Sequence, residues 1–144
     1  MMTAGVRRRR GARGAAAVEF ALVSILLFTI MLGIIQYAFL FWALQVGTNA
    51  AGMAAGRYAV NPCGAGENDD FVRDVVQGTY ADDVATRDTI AVSADFDAGF
   101  PPQTGDSVTV RVSFPTIDIA GGFLPVPDSM VKQATARVED VEDC

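Results

Sequence analysis

A chain of 144 residues with a net charge of −6 and 51% hydrophobic residues has room for one modest domain. It contains no histidine, which excludes Ser-His and Cys-His catalysis and every histidine-based metal centre. The charge is divided unevenly. Residues 1–14 hold five arginines and no acid, whereas residues 57–144 hold six basic and sixteen acidic residues, so the two parts are expected in different compartments.

The basic block Arg7, Arg8, Arg9, Arg10 and Arg13 abuts a long uncharged stretch, and Glu19 is the only charged residue between Arg13 and Arg57. Residues 20–44 contain nothing more polar than Ser24, Thr29, Gly33 and Gln36. As a helix this run would measure about 37 Å at about 1.5 Å per residue, enough to cross a hydrocarbon core of about 30 Å. A signal-peptide core is shorter, at about 7–15 apolar residues, and ends in a small-x-small cleavage site. Here Tyr37, Phe39, Phe41 and Trp42 occupy that place, and they are expected to form an interfacial belt at the far membrane surface. A retained, single-pass membrane anchor is therefore expected. Positive charge stays cytoplasmic, which puts residues 1–14 inside and the acidic part outside. The arginine block directly adjoins a spanning helix, which disfavours a nucleic-acid-binding role. No cysteine lies near the start of the apolar run, as lipoprotein attachment would require.

The helix is expected to continue to residue 60, because residues 43–60 are rich in alanine and lack proline, and Asn61-Pro62 stops the run. Ala43, Gly47, Ala51 and Ala55 recur every four residues, and Gly52 with Gly56 forms a small-xxx-small pair; Gly33 adds a small site within the apolar run. Such spacing lets two helices, or a helix and a sheet, approach closely, so these seven residues are candidate packing positions. The expected organisation is a leader at 1–14, a transmembrane and extended helix at 15–60, and a small extracytoplasmic domain at 61–144.

In that last part Cys63 and Cys144 are the only cysteines, candidates for one disulfide with two free thiols as the alternative. After a loop at residues 64–67, Asn68 is placed to cap a short amphipathic helix whose apolar face is Phe71, Val72, Val75 and Val76. The period then changes to two. Ile90, Val92, Ala94 and Phe96 alternate with polar or small residues, as do Val108, Val110, Val112 and Phe114. A short strand is expected at 117–119 and a last one at 130–138, before an acidic tail read, with Asp82-Asp83, as solvated surface. The fold class expected is α+β, with the long N-terminal helix and the short helix covering a small antiparallel sheet. Asp95-Phe96-Asp97-Ala98-Gly99 has a faint likeness to a calcium loop, but its ligand spacing is broken and the closing glutamate is missing. No metal, cofactor, small-molecule substrate or catalytic residue is expected.

The ordered combination Arg13-Gly14-Ala15-Ala16-Ala17-Val18-Glu19-Phe20, a membrane helix, Thr48-Asn49 and Gly56-Arg57 resembles the TadE/TadG-like proteins of the Tad (Flp, type IVc) pilus assembly system. The resemblance covers roughly residues 13–60 and implies a pilin-like layout and type IV prepilin processing. A membrane aspartyl peptidase would cut the Gly14–Ala15 bond, making Glu19 the fifth mature residue and Phe20 the next. The glutamate would then pair with a new α-amino group at Ala15, its own or a neighbour's. Opposite charges attract strongly in a low dielectric, and a misregistered subunit would leave both unpaired. The rival reading of Glu19 is an interfacial carboxylate that neutralises Arg13. The implied role is that of a minor pseudopilin-like, non-enzymatic membrane protein that assembles or initiates Tad/Flp pili. Its implied partners are other pilins or pseudopilins, the Tad inner-membrane platform and a prepilin peptidase. The alternatives are a generic single-pass, membrane-tethered binding or adhesion domain and a secreted soluble enzyme.

Overall fold

The computed structural model describes residues 10–79, 87–139 and 141, with side chains from residue 14 onward. Helix α1 runs unbroken from Arg10 to Val60, about 77 Å at about 1.5 Å per residue. It includes residues 10–14, ahead of the expected start at residue 15, despite Gly11 and Gly14. It ends where expected, the Asn61 amide donating to Arg57 O at 2.8 Å before Pro62 turns the chain.

Helix α2, Ala65–Thr79, begins three residues earlier than the sequence suggested. Asn68 is consequently not a cap. It is buried inside the first turn, where its Nδ2 donates to Asn61 O at 2.7 Å and ties the start of α2 to the end of α1. The expected apolar face is present: Val72 and Val76 are fully buried and Phe71 packs partly against the core. Cys63, in the turn between the helices, is disulfide-bonded. Its candidate partner Cys144 lies outside the described residues, as do Asp82 and Asp83.

Among the described residues three strands, β1 (Ala91–Phe96), β2 (Ser107–Pro115) and β3 (Ser129–Arg137), form one antiparallel sheet in the order β1-β2-β3. The register sets Val92 opposite Val112 and Ala94 opposite Val110, then Val110 opposite Ala134 and Phe114 opposite Met130. The period-two pattern thus puts one apolar face of the sheet against α1. Val108, Val110, Val112 and Phe114 of the central strand are completely buried against Ala43, Val46, Ala50, Ala54 and Tyr58 of the helix. Each such side chain contributes about 1.5–3 kcal/mol when fully buried. This is an α+β fold in which the second half of α1 is the main cover of the sheet.

Two local expectations change. Residues 117–119 form no strand, because their backbone is engaged by a helix side chain instead. The tail is solvated only in part: the Glu139 side chain is exposed, but its amide donates to Ala59 O at 2.8 Å, fastening the chain after β3 to α1, and Val141 packs partly against the core. Asp140, Glu142 and Asp143 lie outside the described residues.

Candidate functional site

Helix α1 has two regimes. From Gly14 to Ile35 its side chains are exposed or at most half-buried, whatever way they point. The most apolar part has a mean hydropathy of 2.5 and none of it is buried. The helix is therefore not apolar in order to fill the core of its own domain. Its uncovered 22 residues measure about 33 Å, which matches a hydrocarbon core of about 30 Å. Among the described residues one helix is long and apolar enough to cross a bilayer.

Cover begins at Gln36, eight residues before the uncharged run ends. From there Leu40, Ala43, Leu44 and Val46 face the sheet domain rather than open surroundings. Tyr37, Phe39, Phe41 and Trp42 stay exposed in the turns that follow. Gln36 itself is 1% exposed, although it belongs to the apolar run. Its Nε2 donates to Ile117 O at 2.7 Å, and its Oε1 accepts from the amides of Ile119 at 2.8 Å and Ala120 at 3.2 Å. One amide side chain thus closes the distance between the helix and the loop joining β2 to β3. Sequence reasoning passed over this role; the signal was a lone primary amide in a run of 25 residues with no charge.

The proposed processing residues lie together at the uncovered end. Gly14, Ala15, Glu19 and Phe20 are all exposed. Ala15 and Glu19 are one turn apart, so they share a helix face with Cβ atoms about 5–6 Å apart. Glu19 has no ion-pair or hydrogen-bond partner among the described residues; the side chain of Arg13 lies outside them.

The seven candidate packing residues divide into two groups. Ala43, Gly47, Ala51 and Ala55 are buried and form the seam between α1 and its own sheet. A Cβ at Gly47 would come within 2.4 Å of the Phe114 ring. Gly52 and Gly56 face the other way, exposed and with open space where a Cβ would stand; Gly33 is likewise open. Beside them Arg57 lies over the Phe71 ring at 3.9 Å and approaches Glu67 at 3.9 Å, so this motif arginine braces α1 against α2. The next residue, Tyr58, is buried with its hydroxyl 2.7 Å from an Asp69 carboxylate oxygen. Burial, reinforced by that bond, pushes its phenol above the usual range.

Among the described residues no three metal-ligating side chains converge. No curated protein and no solved structure matches the chain. Residues 14–56, from the candidate cleavage site through the packing seam, match the family model described as TadE-like protein, so the N-terminal helix of this chain is similar to that of TadE-like proteins.

Proposed function

We propose that this protein is a non-enzymatic, minor pseudopilin-like subunit that assembles or initiates Tad/Flp pili from the cytoplasmic membrane, with its N-terminus inside and its acidic sheet domain outside. The observation that carries this reading is the TadE-like match over a helix whose first 22 described side-chain positions have no cover from the chain's own domain. An apolar helix of that kind needs lipid or another subunit around it, and a subunit that moves from one to the other is what pilus assembly requires.

Cleavage after Gly14 would leave an ammonium at Ala15, on the same face as Glu19 and one turn away. The amine and the carboxylate are costly alone in a low dielectric and stabilise each other when paired. Pairing between neighbouring subunits would fix their axial register. Partners in this scheme are other pilins or pseudopilins, the inner-membrane platform and the processing peptidase.

The experiment is mass determination of the protein extracted from membranes of cells with and without the prepilin peptidase, together with pilus counts in a Glu19→Ala strain. The expected result is a chain starting at Ala15 only when the peptidase is present. Glu19→Ala should lower piliation at least about tenfold, the equivalent of about 1.4 kcal/mol, with unchanged membrane insertion. An intact leader beside an active peptidase, with normal piliation by Glu19→Ala, would overturn the proposal.

A further inference from the structure

The loop between β2 and β3 leaves and returns through a closed neck. The Thr116 amide donates to Asp128 O at 3.1 Å, and the Thr116 hydroxyl donates to Pro127 O. Beyond the neck the loop presents Phe123, 69% exposed, and Ile119, 46% exposed. A water-facing loop gains nothing from either. Between Thr116 and Pro127 the only charged side chain is Asp118, and its Oδ2 accepts from the Gly122 amide at 2.6 Å.

Four of the five amides at the loop tip, from Ile119 to Phe123, have partners within the chain. The amides of Ile119 and Ala120 go to Gln36, that of Gly122 to Asp118, and that of Phe123 to Ala120 O at 3.2 Å. Gly121 and Gly122 take positive φ values of 61° and 81°, which turn the tip tightly enough for these bonds to form. In water the amides would lose little by facing solvent. At the edge of hydrocarbon each unpaired one would cost several kcal/mol.

Position supplies the remaining link. Gln36 fixes this loop to α1 at the level where the uncovered apolar stretch ends. If the stretch from Gly14 to Ile35 crosses the bilayer, Gln36 stands at the outer boundary of the hydrocarbon. We infer that the Ile119–Phe123 tip is a second membrane contact, which dips its two apolar side chains into the outer leaflet beside the helix and sets the height of the sheet domain. This rests on the helix being a membrane anchor. The attraction is apolar, because the tip carries no basic residue and the domain is acidic. A neutral phosphatidylcholine surface is therefore a sufficient partner, with no anionic lipid needed.

The test uses the full chain in phosphatidylcholine vesicles, with Trp42→Phe as background because Trp42 is the only tryptophan. Phe123→Trp reports the tip, Leu26→Trp the anchor, and Val131→Trp an exposed site on β3. Fluorescence is quenched with lipids brominated near the glycerol end of the acyl chain for the tip and for Val131→Trp, and near its methyl end for the anchor. The expected result is quenching of the Leu26→Trp and Phe123→Trp proteins, the latter at least about twofold above Val131→Trp and unaffected by added anionic lipid. Adding Gln36→Ala should lower quenching at the tip and leave it unchanged in the anchor. Quenching in the anchor with the tip no different from Val131→Trp would overturn the loop contact and leave the anchor standing. Quenching at neither would overturn both. Quenching at the tip that appears only with phosphatidylglycerol would overturn the apolar mechanism.

Discussion

Gly47 on α1 and Phe114 on β2 are in such close approach that a single added methyl group at the glycine would sit 2.4 Å from the ring. The ring is fully buried, and Lys132 lies 3.0 Å from the same point. The ring cannot swing into solvent without opening the seam. Gly47→Ala gains about 1 kcal/mol of helix propensity and incurs an overpacking cost of about 1–3 kcal/mol. The expected outcome is a protein less stable by about 1 kcal/mol, read as a lower melting temperature in detergent.

Gly52 gives the opposite result, which makes it the control for this reasoning. Apart from its chain neighbours and the adjacent backbone of its own helix, no described atom lies within 4 Å of its added Cβ. Gly52→Ala should therefore stabilise the isolated protein by about 0.5–1 kcal/mol through propensity alone. Gly52→Leu should leave the isolated fold intact too. If the open Gly52/Gly56 face receives a neighbouring helix, the leucine variant should reduce piliation while its melting temperature stays at or above that of the wild type. Loss of both together would place Gly52 in the fold rather than in assembly.

The different fates of these glycines show where the sequence is readable. Four-residue spacing identified both rows on α1, because helical geometry alone decides which side chains line up. It could not say which row meets the sheet, since that depends on the tertiary placement of Phe114 and Lys132. The strands were readable for a similar reason: Val108, Val110, Val112 and Phe114 alternate without interruption. Asn68 misled because a local capping preference competed with a long-range need, the carbonyl of Asn61 left over at the end of α1. Gln36 was hardest, since its partners lie 81 to 84 residues away in a segment that carries no periodicity. The processing residues Gly14, Ala15 and Glu19 were legible only as a motif, because their proposed chemistry lies between molecules.

Tyr58 predicts an alkaline weakness. Its phenol ionises above the usual value of 10.0 because burial, then the bond to Asp69 and that carboxylate's charge, disfavour the phenolate. The unfolded chain releases this proton near its ordinary value, so the folded form is favoured fully below pH 10 and progressively less as pH rises towards the folded value. The slope from one such group reaches about 1.4 kcal/mol per pH unit. Tyr58→Phe should cost about 1 kcal/mol at neutral pH through the lost hydrogen bond. Its stability should then fall less steeply than that of the wild type above pH 10. Paired melts across that range check the sign, and parallel alkaline limbs would refute it.

Gln36 makes a prediction that needs no membrane and no partner. Its carboxamide satisfies three backbone groups of the loop, two amides through Oε1 and one carbonyl through Nε2. Gln36→Leu keeps the volume and helix propensity close to native but leaves those groups without partners. A buried polar group stripped of its bond costs about 1–3 kcal/mol, which the loop can escape only by lifting off the helix. Hydrogen exchange should show this directly. In the wild type the Ile119 and Ala120 amides should exchange slowly, and in Gln36→Leu they should accelerate at least about tenfold for each 1.4 kcal/mol lost. The β2 amides, held by ladder bonds to β1 and β3, should keep their protection. Gln36→Glu separates the two halves of the contact: it retains an acceptor for Ile119 and Ala120, loses the donor to Ile117 and places a charge in a buried site. It should therefore loosen the loop as pH rises through the carboxylate range and restore it on acidification, when the protonated acid can again donate to Ile117 O. A loop equally protected in all three proteins would show that the helix does not hold it.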